Sequence, residues 1–196
     1  MKSSAILKSI LTVFVLLAAL QTANAQNLPK LGVKGGLNLT TLTNSDGVDT
    51  KTGFIAGIFT RINIPATPIS IQPELLYAQM GAEVSGGTWE LDYIQIPVMA
   101  IFEFDLPVAP ITPMVEFGPY LGVNMKADGR FNGQSVDFED FVRDTDYGVM
   151  VGAGFDLSRF TLGARYTFGL ADVFEDQLAD GEKNGGLSIL VSFSVN

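Results

Sequence analysis

Residues 111–126 read ITPMVEFGPYLGVNMK, and this stretch decides the fold. Val115, Phe117 and Leu121 occupy alternate positions, while Glu116 and Gly118 stand between them. Successive side chains of a β-strand point to opposite faces. The alternation therefore predicts a strand with one apolar face and one polar or small face. It does not fit a helix, in which apolar residues recur roughly every three to four positions.

The same alternation recurs along the rest of the chain, and helical spacing is almost absent. Eight runs begin near residues 31, 54, 69, 94, 111, 148, 160 and 187. Runs of this kind, separated by turn residues, predict an all-β chain. Antiparallel strands joined in sequence can close into an up-and-down barrel, which leaves no unpaired edge.

The apolar face of such strands could form the core of a soluble sandwich or barrel, or it could face lipid. Gly, Ser and Asn dominate the opposite face, as a narrow lumen requires, and its charges are few and of both signs. Aromatic residues stand near the ends of the runs, where a membrane barrel carries its interfacial girdle. These are Tyr77, Phe102, Phe104, Phe155, Phe160 and Phe168. The pattern favours lipid outside and a polar lumen inside.

The connections between the runs also alternate in length. Residues 65–68, 106–110 and 158–159 are short connections, whereas those after the first, third, fifth and seventh runs are longer, polar and rich in Asp and Gly. The longer connections hold residues 44–47, Gly86 and Gly87 between the third and fourth runs, residues 127–146 and residues 171–185. Short periplasmic turns and longer outer loops are typical of single-chain outer-membrane barrels. We therefore predict an eight-stranded antiparallel up-and-down transmembrane β-barrel with both termini in the periplasm, in the outer membrane of a Gram-negative bacterium.

The first 25 residues have the pattern of a secretory signal peptide. Lys2 and Lys8 precede an apolar run over residues 10–20, and Ala23-Asn24-Ala25 fits the cleavage pattern. A membrane-spanning helix needs about 20 apolar residues, and this run is shorter. We expect residues 1–25 to be cleaved and residues 26–196 to form one barrel domain.

Composition narrows the classes of function. The chain has no Cys and no His, and its net charge is −9. Disulfides and thiol chemistry are thereby excluded, and the acidic balance argues against nucleic acid as a partner. Acid–base catalysis near neutral pH most often uses His. We therefore expect neither an enzyme nor a cofactor.

Eight charged residues fall on the predicted inner face. They are Lys34, Arg61, Glu74, Glu103, Glu116, Lys126, Asp156 and Arg165. An eight-stranded barrel has an interior that side chains can fill, and unpaired buried charges are costly. We interpret the set as a structural cluster of ion pairs that seals the lumen. The alternative is a narrow ion path, because rings of charge set selectivity in channels.

Two further patterns lie in the predicted outer loops. Acidic residues gather in residues 137–146 and 172–182, but neither segment has the full ligand spacing of a calcium loop, so no metal site is predicted. Phe131, Phe138 and Phe141 also lie in an outer loop. Exposed aromatic residues often mark contact sites, although they could equally fold back onto the strands.

Several motifs resemble the PorT-like outer-membrane barrels of Bacteroidota, which are often called the porin family. They are GVKGGLNL at 32–39, PELLY at 73–77, YIQIP at 93–97, GPYLG at 118–122 and ARYTFGL at 164–170. Gln95 departs from the pattern, because members often carry Glu there. The resemblance implies an outer-membrane barrel, and one branch of the family takes part in secretion and gliding.

Three functions remain open from the sequence. The first is a structural or surface-interaction barrel whose outer loops bind an extracellular or envelope protein. The second is a narrow porin for ions or small solutes, and the third, implied by the resemblance, is an accessory component of a secretion or envelope-assembly complex. In each case we expect the chain to contact outer-membrane lipid and the barrel-assembly machinery.

Overall fold

The computed structural model describes residues 29–43, 48–84, 87–104, 106, 111–131, 134–137, 144–172 and 183–195. The expected signal peptide at residues 1–25 lies outside these ranges. So do Phe138 and Phe141, and most of the acidic residues of the two outer segments. No helix within the described ranges is long and apolar enough to cross a membrane.

The described chain consists of β-strands and their connections. The strands are β1 (Lys30–Thr43), β2 (Val48–Asn63), β3 (Ile69–Val84), β4 (Gly87–Glu103), β5 (Thr112–Phe131), β6 (Gln134–Asp137), β7 (Thr145–Leu157), β8 (Phe160–Asp172) and β9 (Lys183–Ser194).

The eight long strands close into one antiparallel barrel. Each pairs with the next long strand along the chain, including β4 with β5 and β5 with β7. β1 pairs with β9, and this pairing closes the ring. The short β6 pairs with the last residues of β5, beyond the part of β5 that pairs with β7. The predicted eight-stranded barrel is confirmed.

The barrel has two distinguishable ends. The terminal end holds the start of β1, the end of β9 and the connections 64–68, 104–111 and 158–159. The distal end holds the connections that follow β1, β3, β6 and β8. The turns at the terminal end contain two non-glycine residues with positive φ, Ala66 at 61° and Ser158 at 73°. Both φ values are in the left-handed region, which lets the chain reverse sharply.

The strands extend further at the distal end than the alternation predicts. Residues 78–93 were expected to hold a long connection, yet β3 continues to Val84 and β4 begins at Gly87. Only residues 85–86 separate these strands, fewer than the connection 104–111 at the terminal end. The expected parity of loop lengths is therefore wrong for this hairpin. Outside lipid both faces of a strand can be polar, so the alternation ends while the backbone pairing continues.

The outer surface of the barrel is an apolar belt. The burial of β7 alternates strictly over its first half, with the outward positions exposed. Exposed apolar residues of the belt include Leu31, Val33, Leu37, Phe54, Ile58, Val115, Phe117, Val149, Val151, Phe155, Phe160, Leu162, Phe168, Ile189 and Val191. An apolar exterior of this extent is typical of a surface that faces lipid.

Side chains fill the interior between the polar residues. Met99, Ile101, Met114, Tyr120 and Met150 form one buried apolar cluster inside the barrel. Flexible Met side chains fill irregular gaps well. The remaining inward positions carry buried polar and charged side chains, which make up the candidate site.

Candidate functional site: the charged lumen

Arg165 on β8 lies at the centre of the lumen and is 1% exposed. It donates hydrogen bonds through Nε and Nη2 to Glu116 on β5, at 2.8 and 2.9 Å. It also donates through Nη1 and Nη2 to Glu74 on β3, at 2.8 and 2.9 Å. The planar guanidinium thus binds two carboxylates at once, which suits its fixed fork of donors.

Lys34 on β1 completes what we call the central cluster, formed by Lys34, Glu74, Glu116 and Arg165. Its Nζ lies 2.6 Å from Glu74 Oε1, which also accepts a hydrogen bond of 2.7 Å from Gln72 Nε2. Two cations, on β1 and β8, therefore contact two carboxylates, on β3 and β5, inside the barrel. A buried set of charges is tolerable only when it is paired and hydrogen-bonded in this way.

Arg61 on β2 forms a second group nearer the terminal end. Its Nη1 lies 2.9 Å from Glu103 and 2.9 Å from Asp156, and these three residues are the terminal cluster. Nε of Arg61 donates to Gln72 Oε1 at 2.8 Å, so Gln72 joins the two clusters. The side chains of Glu103 and Asp156 are 26% and 12% exposed. The acids of the terminal cluster are therefore more exposed than those of the central cluster.

Lys126 is the one residue of the predicted set that the structure places outside the lumen. The register of β4 and β5 shifts between Asp92 and Tyr93, so that Asp92 pairs with Lys126 and Tyr93 pairs with Asn124. The extra residue in β5 reverses its inward and outward positions, as a β-bulge does. The Lys126 side chain is 49% exposed and forms an ion pair with Asp128. That contact raises the pKa of the Lys126 ammonium.

Glycines opposite the central cluster make room for its long side chains. Gly152 on β7 pairs with both Glu116 and Arg165 across neighbouring strands. A Cβ at this position would lie 2.9 Å from Glu116 Oε1 and 2.8 Å from the Ala164 carbonyl oxygen. The absence of a side chain therefore lets Glu116 lie against the wall of the barrel.

A third group lies at the distal end, the distal cluster of Tyr93, Tyr120, Asp146 and Asn184. The sequence places the two tyrosines in the lumen, but it did not reveal that Asp146 and Asn184 join them. Asp146 Oδ2 accepts hydrogen bonds from Tyr120 OH at 2.9 Å and from Asn184 Nδ2 at 3.2 Å. The sequence analysis placed Asp146 in an acidic outer loop. The alternation of β7, followed back two residues from Gly148, would have placed Asp146 on the inner face.

The interior leaves little free space beside the central and terminal clusters. A cavity lined by Lys34, Arg61, Glu116 and Ser192, among others, has a volume of about 10 Å³. That is the lower limit of volume for holding about one water molecule. At this level of the barrel, ion pairs and packed side chains occupy the space that a solute would need.

A larger depression, of about 500 Å³, lies on the outer surface of the barrel. Ala153 and Ala164 pair across β7 and β8 at its floor, and Phe155 and Leu162 flank them. Most of its lining residues belong to the apolar belt, while Met114, Gly154 and Gly163 come from inward positions.

The side chains of the lumen are arranged for packing and charge pairing and not for catalysis. No group of three or more metal-binding side chains is positioned for an ion within the described ranges. Glu74 and Glu116 already accept hydrogen bonds from Arg165. Both acids are thus bound to Arg165, and the packed side chains around them leave no cleft for a substrate.

Comparisons with known proteins agree with this architecture. A family model described as outer membrane protein β-barrel domain matches residues 23–175, which reach from before β1 past the end of β8. A comparison with curated proteins finds no match.

Solved structures that are similar to this chain share little sequence identity with it. Ail, the attachment invasion locus protein of Yersinia pestis, is 16% identical with a TM-score of 0.47, over 85% of this chain and 98% of Ail. OprG from Pseudomonas aeruginosa is 13% identical with a TM-score of 0.47, over 86% and 94%. The outer membrane enzyme PagL is 13% identical with a TM-score of 0.42, over 86% and 100%. Similarities at this level carry no statement about activity.

Proposed function

The chain belongs to the outer membrane protein β-barrel domain family, and we propose that it is a closed scaffold whose distal connections bind an extracellular or envelope protein. As an outer-membrane barrel of a Gram-negative bacterium, it exposes its apolar belt to lipid. The proposal assigns the membrane part a structural role. It assigns recognition to the polar connections at the distal end.

The observation that carries this proposal is the filled lumen. Arg165 binds Glu74 and Glu116 at the middle of the barrel, and all three side chains are at most 5% exposed. Together with Lys34 they link β1, β3, β5 and β8 across the interior. A sugar or amino acid could pass only if these pairs separated, which would leave buried charges unpaired at high cost.

Liposome swelling tests the closed lumen. The protein is refolded into liposomes that are then diluted into iso-osmotic arabinose, with a general diffusion porin as positive control. We expect the swelling rate to equal that of protein-free liposomes. Reproducible, protein-dependent entry of arabinose would show that the lumen is open and would overturn the proposed scaffold role.

Site-specific photo-crosslinking tests the surface-interaction role. A benzoylphenylalanine at position 138, in the connection between β6 and β7, should give adducts of protein size on intact cells. The same probe at position 67, in the turn at the terminal end, is the matched control and should not give these adducts. If position 138 yields no adduct, a distal protein partner is not supported.

A thin ion path is the second candidate, and the terminal cluster favours it. Glu103 and Asp156 remain partly exposed beside Arg61, and Lys30 stands opposite Arg61 on the same face, so charges of both signs line this end of the lumen. Charged side chains that line a pore set its selectivity among ions. Steady ion conductance in a planar bilayer, without arabinose entry, would favour this function over a sealed scaffold.

We also propose that the chain is a PorT-like member of the family from a Bacteroidota species. Four of the five motifs behind this resemblance, at residues 32–39, 73–77, 118–122 and 164–170, lie within β1, β3, β5 and β8, and the fifth lies within β4. A role as accessory component of a secretion complex follows only from that resemblance. Loss of protein secretion on deletion of the gene, restored by the wild-type chain, would support it.

We propose no catalytic activity for this barrel. The chain contains no His, and the buried acids of the central cluster are paired with Arg165 and Lys34. General acid–base catalysis requires a group that can exchange its proton with a substrate within hydrogen-bond distance. An assay of purified protein against lipid and ester substrates should therefore show no turnover above the protein-free rate.

A further inference from the structure

Asp146 is a buried carboxylate without an evident counter-charge. It is 3% exposed and faces the lumen near the distal end, where it pairs with Gly122 across β5 and β7. Oδ2 accepts hydrogen bonds from Tyr120 and Asn184, but Oδ1 has no hydrogen-bond partner in the part of the chain that the structure describes. One oxygen of this acid is therefore available to another group.

Four described cations that face the lumen are engaged with other acids. Arg165 and Lys34 pair with the acids of the central cluster, and Arg61 pairs with those of the terminal cluster. Lys51 lies 3.4 Å from Glu90. No ion pair to Asp146 is found within the described ranges. An ionised carboxylate that is buried without a cation is strongly unfavourable, so either a proton or a mobile cation must offset the charge of Asp146. The oxygen-rich surroundings of the acid favour the cation.

The surroundings of Asp146 are rich in oxygen ligands. Tyr120 OH lies 2.9 Å from Oδ2, and Tyr93 OH lies 3.4 Å from Asn184 Nδ2, which itself contacts the same carboxylate. Asn124 pairs with Tyr93 across β4 and β5, and its Nδ2 likewise lacks a partner among the described residues. Rotation of that amide by half a turn would present its oxygen instead, since the two orientations are nearly isosteric.

Two glycines lie beside the distal cluster. Gly122 stands directly opposite Asp146, and a Cβ there would meet Asp146 Cβ and Tyr93 Cδ1 at 3.4 Å, which is ordinary van der Waals contact. Gly148 pairs with Tyr120, and a Cβ at Gly148 would lie 2.8 Å from Tyr120 Cε1. The absence of a side chain at Gly148 therefore lets the Tyr120 ring lie against β7, where its hydroxyl reaches Asp146.

We propose that the distal cluster, together with Asn124, binds a monovalent alkali cation on Asp146 Oδ1. The oxygens that this part of the lumen offers are the Asp146 carboxylate, the Tyr120 phenol beside it, the Tyr93 phenol that contacts Asn184, and the Asn124 amide in its rotated orientation. Ca²⁺ takes six to eight oxygens, usually with several carboxylates. No set of three acidic ligands is assembled within the described ranges, so a divalent ion is disfavoured. The site is independent of any surface partner and does not require a continuous path through the barrel.

Unfolding measurements test the site in the intact refolded barrel. Denaturant midpoints are compared in NaCl, KCl and N-methyl-D-glucamine chloride at equal ionic strength, which separates site binding from general screening. A ligand that binds only the folded state raises the folding equilibrium constant by mass action, about 100-fold at a concentration 100 times its Kd. We expect a higher midpoint in NaCl or KCl than in N-methyl-D-glucamine chloride, and no such difference in Asp146→Asn.

Asp156→Asn is the matched control, because it also removes a lumen carboxylate but one that pairs with Arg61. It should retain the alkali dependence. If Asp146→Asn does not refold, Tyr120→Phe replaces it and should weaken the dependence. Crystals soaked in Tl⁺ supply a second readout, an anomalous peak beside Asp146.

Four outcomes would overturn the proposal. The first is a wild-type midpoint that is equal in all three salts, as expected if Asp146 binds only water or a proton. The second is an alkali dependence that persists in Asp146→Asn. The third is stabilisation by CaCl₂ alone, and the fourth is a Tl⁺ peak that lies elsewhere in the barrel.

Discussion

Arg165 connects three strands through side-chain contacts alone. It lies on β8, while its partners Glu74 and Glu116 lie on β3 and β5. Breaking a buried pair by removing one partner leaves the other charge unpaired, at a cost of about 3–5 kcal/mol. The same pair adds little when both partners are replaced by packed apolar side chains. The contribution of such an ion pair to stability therefore depends on whether one partner or both are replaced.

We expect Glu116→Ala to lower the free energy of unfolding by about 3–5 kcal/mol, because Arg165 loses one of its two carboxylates. A double-mutant cycle with Arg165 should show strong coupling, measured by urea unfolding from lipid vesicles. The cycle of Glu116 with Arg61 is the control, since Arg61 contacts Glu103 and Asp156 instead. Equal coupling in both cycles would contradict the separation of the two clusters.

Gly152 is a position beside the central cluster where an added side chain would crowd both the backbone and Glu116. Gly152→Ala places a Cβ 2.8 Å from a backbone carbonyl and 2.9 Å from Glu116 Oε1. We expect a loss of roughly 1–3 kcal/mol, the range for overpacking. Gly35→Ala is the matched control, because its Cβ would meet only the Ile55 carbonyl oxygen, at 3.7 Å. Similar unfolding midpoints for the two variants would argue against the crowding seen at Gly152.

At the scale of the strands, the bulge in β5 decides which side chains reach the lumen. Below it, Glu116 and Tyr120 point inward, and above it Ala127 does, so Lys126 lies outside beside Asp92 and Asp128. The alternation used on the sequence assumes an unbroken period of two. One extra residue reverses every later position, because a shift of one flips each side chain to the other face.

Lys126→Ala should be nearly neutral, within about 1 kcal/mol, because exposed ion pairs contribute little to stability. The change removes only the half-exposed pair with Asp128. Urea unfolding of the refolded variant measures the effect. A loss as large as that of Glu116→Ala would mean that Lys126 belongs to the lumen after all.

The orientation of the strands predicts which connections face outward. Trypsin added to intact cells should cut within residues 127–146, which include Arg130 and Arg143 in a polar, Asp-rich segment. Arg159, in the turn between β7 and β8, should be protected until the outer membrane is permeabilised. Mass spectrometry of the fragments identifies the sites. Cleavage at Arg159 in intact cells, with none in residues 127–146, would reverse the predicted topology.

For the molecule as a whole, different interactions close the barrel and fill its lumen. Backbone pairing between β1 and β9 completes the ring and leaves no long strand with an open edge. Side chains then occupy the interior, since the ring of an eight-stranded barrel is only wide enough for them. The apolar belt remains outside, where the driving force for its burial comes from lipid and not from a protein core.

Planar-bilayer recording tests whether the central cluster is what closes the lumen. The wild-type barrel should show no steady conductance, whereas Arg165→Ala should show brief openings, because Glu74 and Glu116 then repel one another. Lys126→Ala, which removes a cation outside the lumen, should be as silent as the wild type. Identical recordings from all three proteins would mean that other side chains seal the lumen.

The sequence alone determined the class of fold and the sorting of side chains between two faces. Each strand repeats with a period of two, so the apolar belt and the inward positions of Lys34, Glu74, Glu116 and Arg165 follow from local spacing. These inferences need only neighbours in the chain. They therefore hold wherever the alternation is unbroken and the strand lies in lipid.

Only the tertiary structure decided which inward residues meet. Glu74 and Arg165 stand 91 positions apart, and their contact depends on the register of every strand between them. The bulge in β5 just before Lys126 and the extension of β3 and β4 beyond the apolar belt also escaped the pattern. Each arises where pairing between strands, and not the alternation along one strand, sets the direction of a side chain, and no local repeat encodes that pairing.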